Sequence, residues 1–137
     1  MAGTVKDLKV WQEAVALAAE TVRSARQSAK RETKVVTDQI MNSALSAASA
    51  IADGYGRYTA PEQRQLYRAA KRELARLETQ LAVARQADLV TAHTHADLSA
   101  RIQGVNRLLG VYLVYLERQL EAAQSREPAA AAAAAAH

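Results

Sequence analysis

Residues 59–87 read TAPEQRQLYRAAKRELARLETQLAVARQA, and this stretch decides the fold class. Thr59 has the N-cap position, Pro61 falls in the first turn, where its missing N–H is harmless, and Glu62 completes a capping box. Apolar residues then recur at steps of three and four, the period of one helix face: Leu66, Ala70, Leu74, Leu77, Leu81 and Ala84. The pattern predicts one α-helix that ends near Ala87 and is about 40 Å long.

Two further helices are predicted before this one. Thr4 and Asp7 have capping-box spacing, so the first helix is expected over about residues 5–29. The second helix is expected over about residues 35–53, and Gly54 and Gly56 are expected to end it through the left-handed conformation that glycine tolerates. The apolar stripe of the first helix is Leu8, Trp11, Val15, Ala18, Val22 and Ala25.

The second helix carries two neighbouring apolar stripes and no charged residue between Ile40 and Ala52. The stripe assigned to the core of the subunit is Ile40, Ala44, Ala47 and Ile51. The other stripe is Met41, Leu45, Ala48 and Ala52. Because an exposed helix normally has a charged face, this outer stripe predicts a contact with another protein chain. Its alanines favour a closely packed partner helix with a small apolar stripe of its own.

The fourth helix follows a short connection over residues 88–94, and Thr94 and Asp97 have the spacing of its cap. Its core stripe is Leu98, Ile102, Val105, Leu109, Tyr112 and Leu116. Apolar residues also fill its other faces: Leu108, Val111, Leu113, Val114 and Tyr115. One bundle cannot bury two sides of one helix, so Val111 and Val114 predict a contact with a second subunit.

Four amphipathic helices with short connections predict an all-α, antiparallel, up-down-up-down four-helix bundle. The bundle domain is expected over residues 1–125. Pro128 is expected to end the fourth helix, which leaves residues 126–137 as an alanine-rich tail outside the core.

The composition excludes several classes of protein. The 137 residues include no cysteine, which excludes disulfides, thiolate zinc sites and cysteine nucleophiles. Charged residues near the start argue against a signal peptide, and the longest apolar run, 108–116, is about half of the roughly 20 residues that span a membrane. We therefore expect a soluble, cytoplasmic protein without a membrane partner.

Two motifs resemble a known family: residues 7–11, Asp-Leu-Lys-Val-Trp, and residues 51–57, Ile-Ala-Asp-Gly-Tyr-Gly-Arg. The resemblance extends over about residues 7–120. The family is that of bacterial four-helix-bundle proteins encoded in intervening sequences of 23S ribosomal RNA genes. It implies a homopentamer of four-helix subunits with no assigned enzymatic activity. A related protein, the reverse-transcriptase accessory protein of diversity-generating retroelements, has basic surfaces that bind nucleic acid.

Residues 39–54 depart from the family pattern. Met41 and Asn42 stand where the family has two arginines, and Ala48 and Ala50 stand where it has a proline and an asparagine. The replacements make a flat, apolar surface of the kind that interface engineering produces, and natural divergence also produces it. The first function hypothesis is therefore a non-enzymatic homo-oligomeric scaffold, natural or redesigned as a component of a multi-component assembly.

The second hypothesis is a nucleic-acid-binding adaptor. It rests on a basic ridge along the third helix, formed by Arg64, Arg68, Lys71, Arg72 and Arg76. Tyr67 lies beside this ridge in sequence and is placed to stack on a base. Three acidic residues, Glu62, Glu73 and Glu78, dilute the ridge, so a solvated helix face also explains it. The other tyrosines, Tyr55, Tyr58, Tyr112 and Tyr115, are expected in subunit contacts.

No residue pattern indicates catalysis, a cofactor or a metal. His93 and His95 do not share a helix face and have no third strong ligand nearby in sequence. The segment 54–57 lacks the Lys-Ser/Thr of a phosphate-binding loop. The serines of the second helix have no histidine or paired carboxylate close to them in sequence. We therefore predict a protein that is not an enzyme.

Overall fold

The computed structural model describes residues 3–28 and 30–135, with side chains as far as Arg126. Four α-helices form the molecule: α1 is Lys9–Ser28, α2 is Lys34–Tyr55, α3 is Ala60–Gln86 and α4 is Ala92–Ala135. Short 3₁₀ helices, Val5–Asp7 and Arg31–Thr33, precede α1 and α2. The described residues form no β-strand, which confirms the all-α fold class.

Each helix packs against two others, so the four helices surround one core. α1 contacts α2 and α4, and α3 contacts the same two helices on the opposite side. The connections are four to five residues long, far too short to return along a helix of 30 Å or more, so consecutive helices run antiparallel. This arrangement confirms the four-helix bundle.

The predicted core stripes of α2, α3 and α4 are largely confirmed. Ile40, Ala44, Ala47 and Ile51 of α2 are buried. In α4 the buried residues are Leu98, Ile102, Val105, Leu109, Leu113 and Leu116. Leu113 was predicted on another face, and Tyr112 of the predicted stripe is half-buried. In α3 the stripe from Ala70 to Ala84 is buried, but Leu66 is half-buried and Tyr67 takes its place in the core. Burying the larger ring removes more apolar surface from water.

The apolar stripe predicted for α1 is buried only in part: Ala18 and Ala25 are buried, and its other four residues are not. The buried residues of α1 are Val10, Ala14, Leu17, Ala18, Thr21 and Ala25. Leu8, Trp11 and Val22 are half-buried and Val15 is 39% exposed. One residue step turns an α-helix by about 100°, and the predicted stripe is rotated from the buried face by a little less than one such step. Thr21 fits the core because its hydroxyl donates to the Leu17 carbonyl oxygen over 2.7 Å.

Gly54 does not end α2 through a left-handed conformation, contrary to the prediction. No described glycine has a positive φ, and α2 continues to Tyr55, with Gly56 capping it at φ −78°. Gly54 instead lets Tyr67 approach: a Cβ atom on it would lie 2.6 Å from Tyr67 Cε1. Glycine is required here for a helix contact.

The ends of α4 also differ from expectation. Thr91 caps this helix, since its Oγ1 accepts from the Thr94 N–H over 3.1 Å, so the cap lies three residues before the predicted Thr94. The backbone stays helical through Pro128 to Ala135, so Pro128 does not end the helix. The alanines that follow have the highest helix propensity of all residues, which favours continuation. Residues 1–2 and 136–137 of the predicted domain and tail lie outside the described residues.

Candidate protein-interaction surfaces

An open apolar groove runs along the surface between α1 and α2. Its α1 wall includes Trp11, Val15, Ala19 and Val22, and its α2 wall is Leu45, Ala48, Ser49 and Ala52. The two walls come together because α1 and α2 pack against each other as antiparallel neighbours. The groove has a volume of about 660 Å³ and is open to solvent along its length.

Three of the four residues predicted as the outer stripe of α2 line this groove. Leu45 is 50% exposed, and Ala48 and Ala52 are half-buried. Met41, which is also half-buried, lies on the same side of α2 but does not line the groove. These residues are thus not enclosed in the core of their own subunit. That they bind another chain stays a prediction.

The α1 wall of the groove was missed, because its residues were assigned to the core. The signal was in the sequence: Val10, Ala14, Leu17 and Ala18 form a second apolar stripe beside Trp11, Val15 and Val22. A helix with two apolar stripes buries one of them in its own bundle, and the other stays at the surface. The same reasoning that found the outer stripe of α2 applies to α1.

Arginines supply the charge at the groove. Arg23 and Arg26 line it, and none of the acidic side chains that the structure describes does. Arg23 also pairs with Glu20 of its own helix. Among the described side chains, Arg26 forms no ion pair. The groove is therefore lined mostly by apolar residues, and its positive charge without an ion-pair partner among the described side chains comes from Arg26.

A second apolar surface, the outer face of α4, points away from the core. Val111 is 65% exposed, Val114 47% and Tyr115 57%. Arg107 and Arg118 lie on the same face and flank these residues. On a helical wheel, Val111 and Val114 lie on the side opposite Leu109 and Leu116, which are buried. The two residues predicted for a subunit contact are thus available to solvent in the single chain.

The basic ridge of α3 lies on the surface, but two of its members have acidic partners. Arg68 forms an ion pair of 2.9 Å with Glu117 of α4, and Arg76 lies 3.7 Å from Glu73. The other three members, Arg64, Lys71 and Arg72, form no ion pair with the described carboxylates.

The proposed stacking role of Tyr67 is wrong, because this ring is buried in the core at 4% exposure. Burial raises the pKa of the Tyr67 hydroxyl, and the neighbouring Tyr112 and Tyr55 raise it further. Tyr112 is half-buried and packs against Tyr67 with ring centroids 6.0 Å apart, so part of its ring lies inside the subunit. The Tyr55 hydroxyl donates to the Gly3 carbonyl oxygen over 2.8 Å. Tyr58 is fully exposed, and Tyr115 belongs to the outer face of α4.

No metal-binding cluster is present among the described residues. No group of three His, Cys, Asp or Glu side chains lies close enough together to hold a metal ion. His93 is exposed and His95 is half-buried near the start of α4. Across the residues that the structure describes, no helix has both the length and the apolar character needed to cross a bilayer.

These features define the class of protein: a small helical bundle in which the groove and the outer face of α4 leave apolar side chains outside the core. The model of the 23S rRNA-intervening sequence protein family matches residues 6–111, and the chain belongs to this family. No curated protein matches the chain.

Proposed function

We propose that the protein is a non-catalytic, homo-oligomeric scaffold of the cytoplasm that acts through protein–protein surfaces. The observation that carries this proposal is the placement of apolar side chains on two separate surfaces outside the core. Exposed apolar patches of this kind mark interaction sites. The family resemblance favours a ring of five subunits.

The outer face of α4 is the proposed contact between subunits. Val111, Val114 and Tyr115 together offer bulky apolar side chains, and Arg107 and Arg118 border them. Interfaces commonly have an apolar centre and a polar rim, with tyrosine and arginine enriched. Burying this face against a second copy removes the apolar side chains from water.

The groove between α1 and α2 is the proposed docking site for a second protein. A groove lined by Ala48, Ala52 and Ser49 allows close approach, and a helix with a small apolar stripe fits such a surface. Each contact is modest in free energy, but a ring presents the groove several times. A multivalent partner then binds through avidity.

The test compares one change on each surface. Val111→Glu places a charge in the proposed subunit contact and is expected to reduce the oligomer, ideally five copies of 14.8 kDa, to a smaller species. Ala48→Arg is expected to keep the oligomer mass and to abolish binding of a partner in the groove. Ser46→Arg, on the exposed side of α2 away from the groove, is the matched control and is expected to change neither.

Light scattering coupled to size-exclusion chromatography measures the mass, and circular dichroism checks that each variant stays helical. A stable monomer of the unmodified chain at micromolar concentration contradicts the oligomer. An Ala48→Arg protein that unfolds shows instead that Ala48 belongs to the core.

The second candidate function is the nucleic-acid-binding adaptor. It is favoured by the exposed Lys71 and Arg72 and the half-buried Arg64, which have no ion-pair partner among the described side chains. Against it, Arg68 and Arg76 pair with acidic residues, and Tyr67 is buried. The scaffold is therefore preferred, and binding of a nucleic-acid duplex distinguishes the two functions.

A further inference from the structure

The groove between α1 and α2 has two chemically different ends. Trp11 lies near the start of α1 and Arg26 near its end, about 22 Å apart along the helix axis. Because α1 and α2 are antiparallel, Ala52 lies near the tryptophan end, and Leu45 lies closer to the arginine end. A helix lying in the groove therefore meets an aromatic ring at one end and cations at the other.

The two arginines at this end of the groove differ in their ion pairing within the chain. Arg23 pairs with Glu20 of its own helix. Arg26 lines the groove and forms no ion pair among the described side chains. An acidic residue on a docked helix would supply the missing partner, and the contact excludes part of the surrounding water, which strengthens the attraction.

The outer face of α4 of a second copy does not suit the groove. Outside the groove, the exposed apolar side chains Val111, Val114 and Tyr115 share this face, and it also carries Arg107 and Arg118. Docking it in the groove would bring arginines of like charge towards Arg23 and Arg26. Like-charge pairs across an interface oppose association.

We infer that the groove accepts an amphipathic helix from a different protein, with a stripe of small apolar residues and acidic residues at one end of that stripe. The inference rests on the proposed function and goes beyond it, because it states the chemistry of the partner and excludes the outer face of α4 as the occupant of the groove. The outer face of α4 is left for contact between copies.

The single tryptophan of the chain provides a direct measurement, since Trp11 lines the groove. Two stapled helical peptides of 18 residues, about 27 Å long, carry the same alanine and leucine stripe and no aromatic residue. They differ only in having Glu or Lys beside one end of the stripe. The Glu peptide is expected to shift Trp11 emission to shorter wavelength and to bind about tenfold more tightly at low salt, with the preference shrinking as salt screens the charges.

Arg26→Glu is expected to reverse the order of the two peptides, whereas Arg72→Glu, which changes the net charge equally but lies on α3, is expected to preserve it. Equal binding of both peptides, abolished by Ala48→Arg, overturns the charge preference but leaves docking in the groove intact. A Trp11 emission that shifts with protein concentration alone, along with the oligomer mass, shows a second copy in the groove and overturns the inference. Failure of both peptides to bind overturns the inference and the docking role together, but not the homo-oligomer, which is tested by mass.

Discussion

At the scale of single residues, one glycine fixes how closely α2 and α3 approach. Gly54 is buried inside the last turns of α2, and the Tyr67 ring lies directly against it. The buried ring then packs against Tyr112 of α4, so this one absent side chain influences the contact among three helices. A helix interior is a costly place for glycine, by about 1 kcal/mol relative to alanine, and the packing of Tyr67 offsets this cost.

Gly54→Ala is expected to lower the free energy of unfolding by about 1 kcal/mol, because overpacking of a core costs about 1–3 kcal/mol and the better helix propensity returns only part of it. Gly56→Ala is the matched control: its Cβ would meet nothing nearer than 3.7 Å, so its stability is expected to stay equal or rise. Urea denaturation followed by circular dichroism measures both. A Gly54→Ala protein as stable as the control would show that the Tyr67 ring moves aside at little cost.

At this scale, the role of a residue could be predicted where the atoms that it contacts lie close to it in sequence. The cap at Thr59 was predictable because the Glu62 N–H that it accepts from is three residues away. The role of Gly54 was not predictable, because the ring that requires it comes from another helix. Thr91 was passed over for Thr94 since both are threonines near the start of α4, and local spacing alone does not separate them.

At the scale of the helices, the period of apolar residues predicts a helix more securely than it predicts which face is buried. α3 has one dominant stripe, and there the prediction holds from Ala70 to Ala84. α1 has two stripes, one centred on Leu17 and one on Val15. The predicted stripe was the one with Val15 and Trp11, whereas the stripe around Leu17 is buried. The packing of neighbouring helices decides between them, and a single sequence does not contain that information.

The face of α1 is tested by two substitutions on its two stripes. Leu17→Ala is expected to reduce the free energy of unfolding by about 2–5 kcal/mol, because Leu17 is fully buried and its loss leaves a cavity. Val15→Ala is expected to change it by less than about 1 kcal/mol, since Val15 is 39% exposed and alanine is the better helix former. Denaturation curves of the two proteins give the comparison, and the reverse order would place Trp11 and Val15 in the core after all.

At the scale of the whole molecule, the chain has more apolar surface than one bundle buries. The outer faces of α2 and α4 could be predicted from this excess, and their residues do lie outside the core. The groove itself could not be predicted, because its two walls depend on which faces of α1 and of α2 are turned to solvent. The identity of the chains that cover the two surfaces depends also on the shape and charge of those chains, which this sequence does not contain.

The distribution of charge over the molecule separates the two candidate functions. Eighteen basic and fourteen acidic residues leave a net charge of +4, and Glu73 and Glu117 each hold one cation of the α3 ridge. Few unpaired cations are then left to contact phosphates. Because each phosphate contact contributes through the release of counterions, a small number of contacts gives weak binding with a shallow dependence on salt.

We therefore expect no measurable binding of a generic DNA or RNA duplex at about 50 mM salt, as measured by fluorescence anisotropy of a labelled duplex. The control is the protein in which Arg64, Arg68 and Arg72 are all replaced by alanine, which is expected to give the same flat titration. Tight binding that falls steeply between about 50 and 200 mM salt and disappears in the triple variant would contradict this expectation. That result would make the α3 ridge the functional surface and would favour the adaptor over the scaffold.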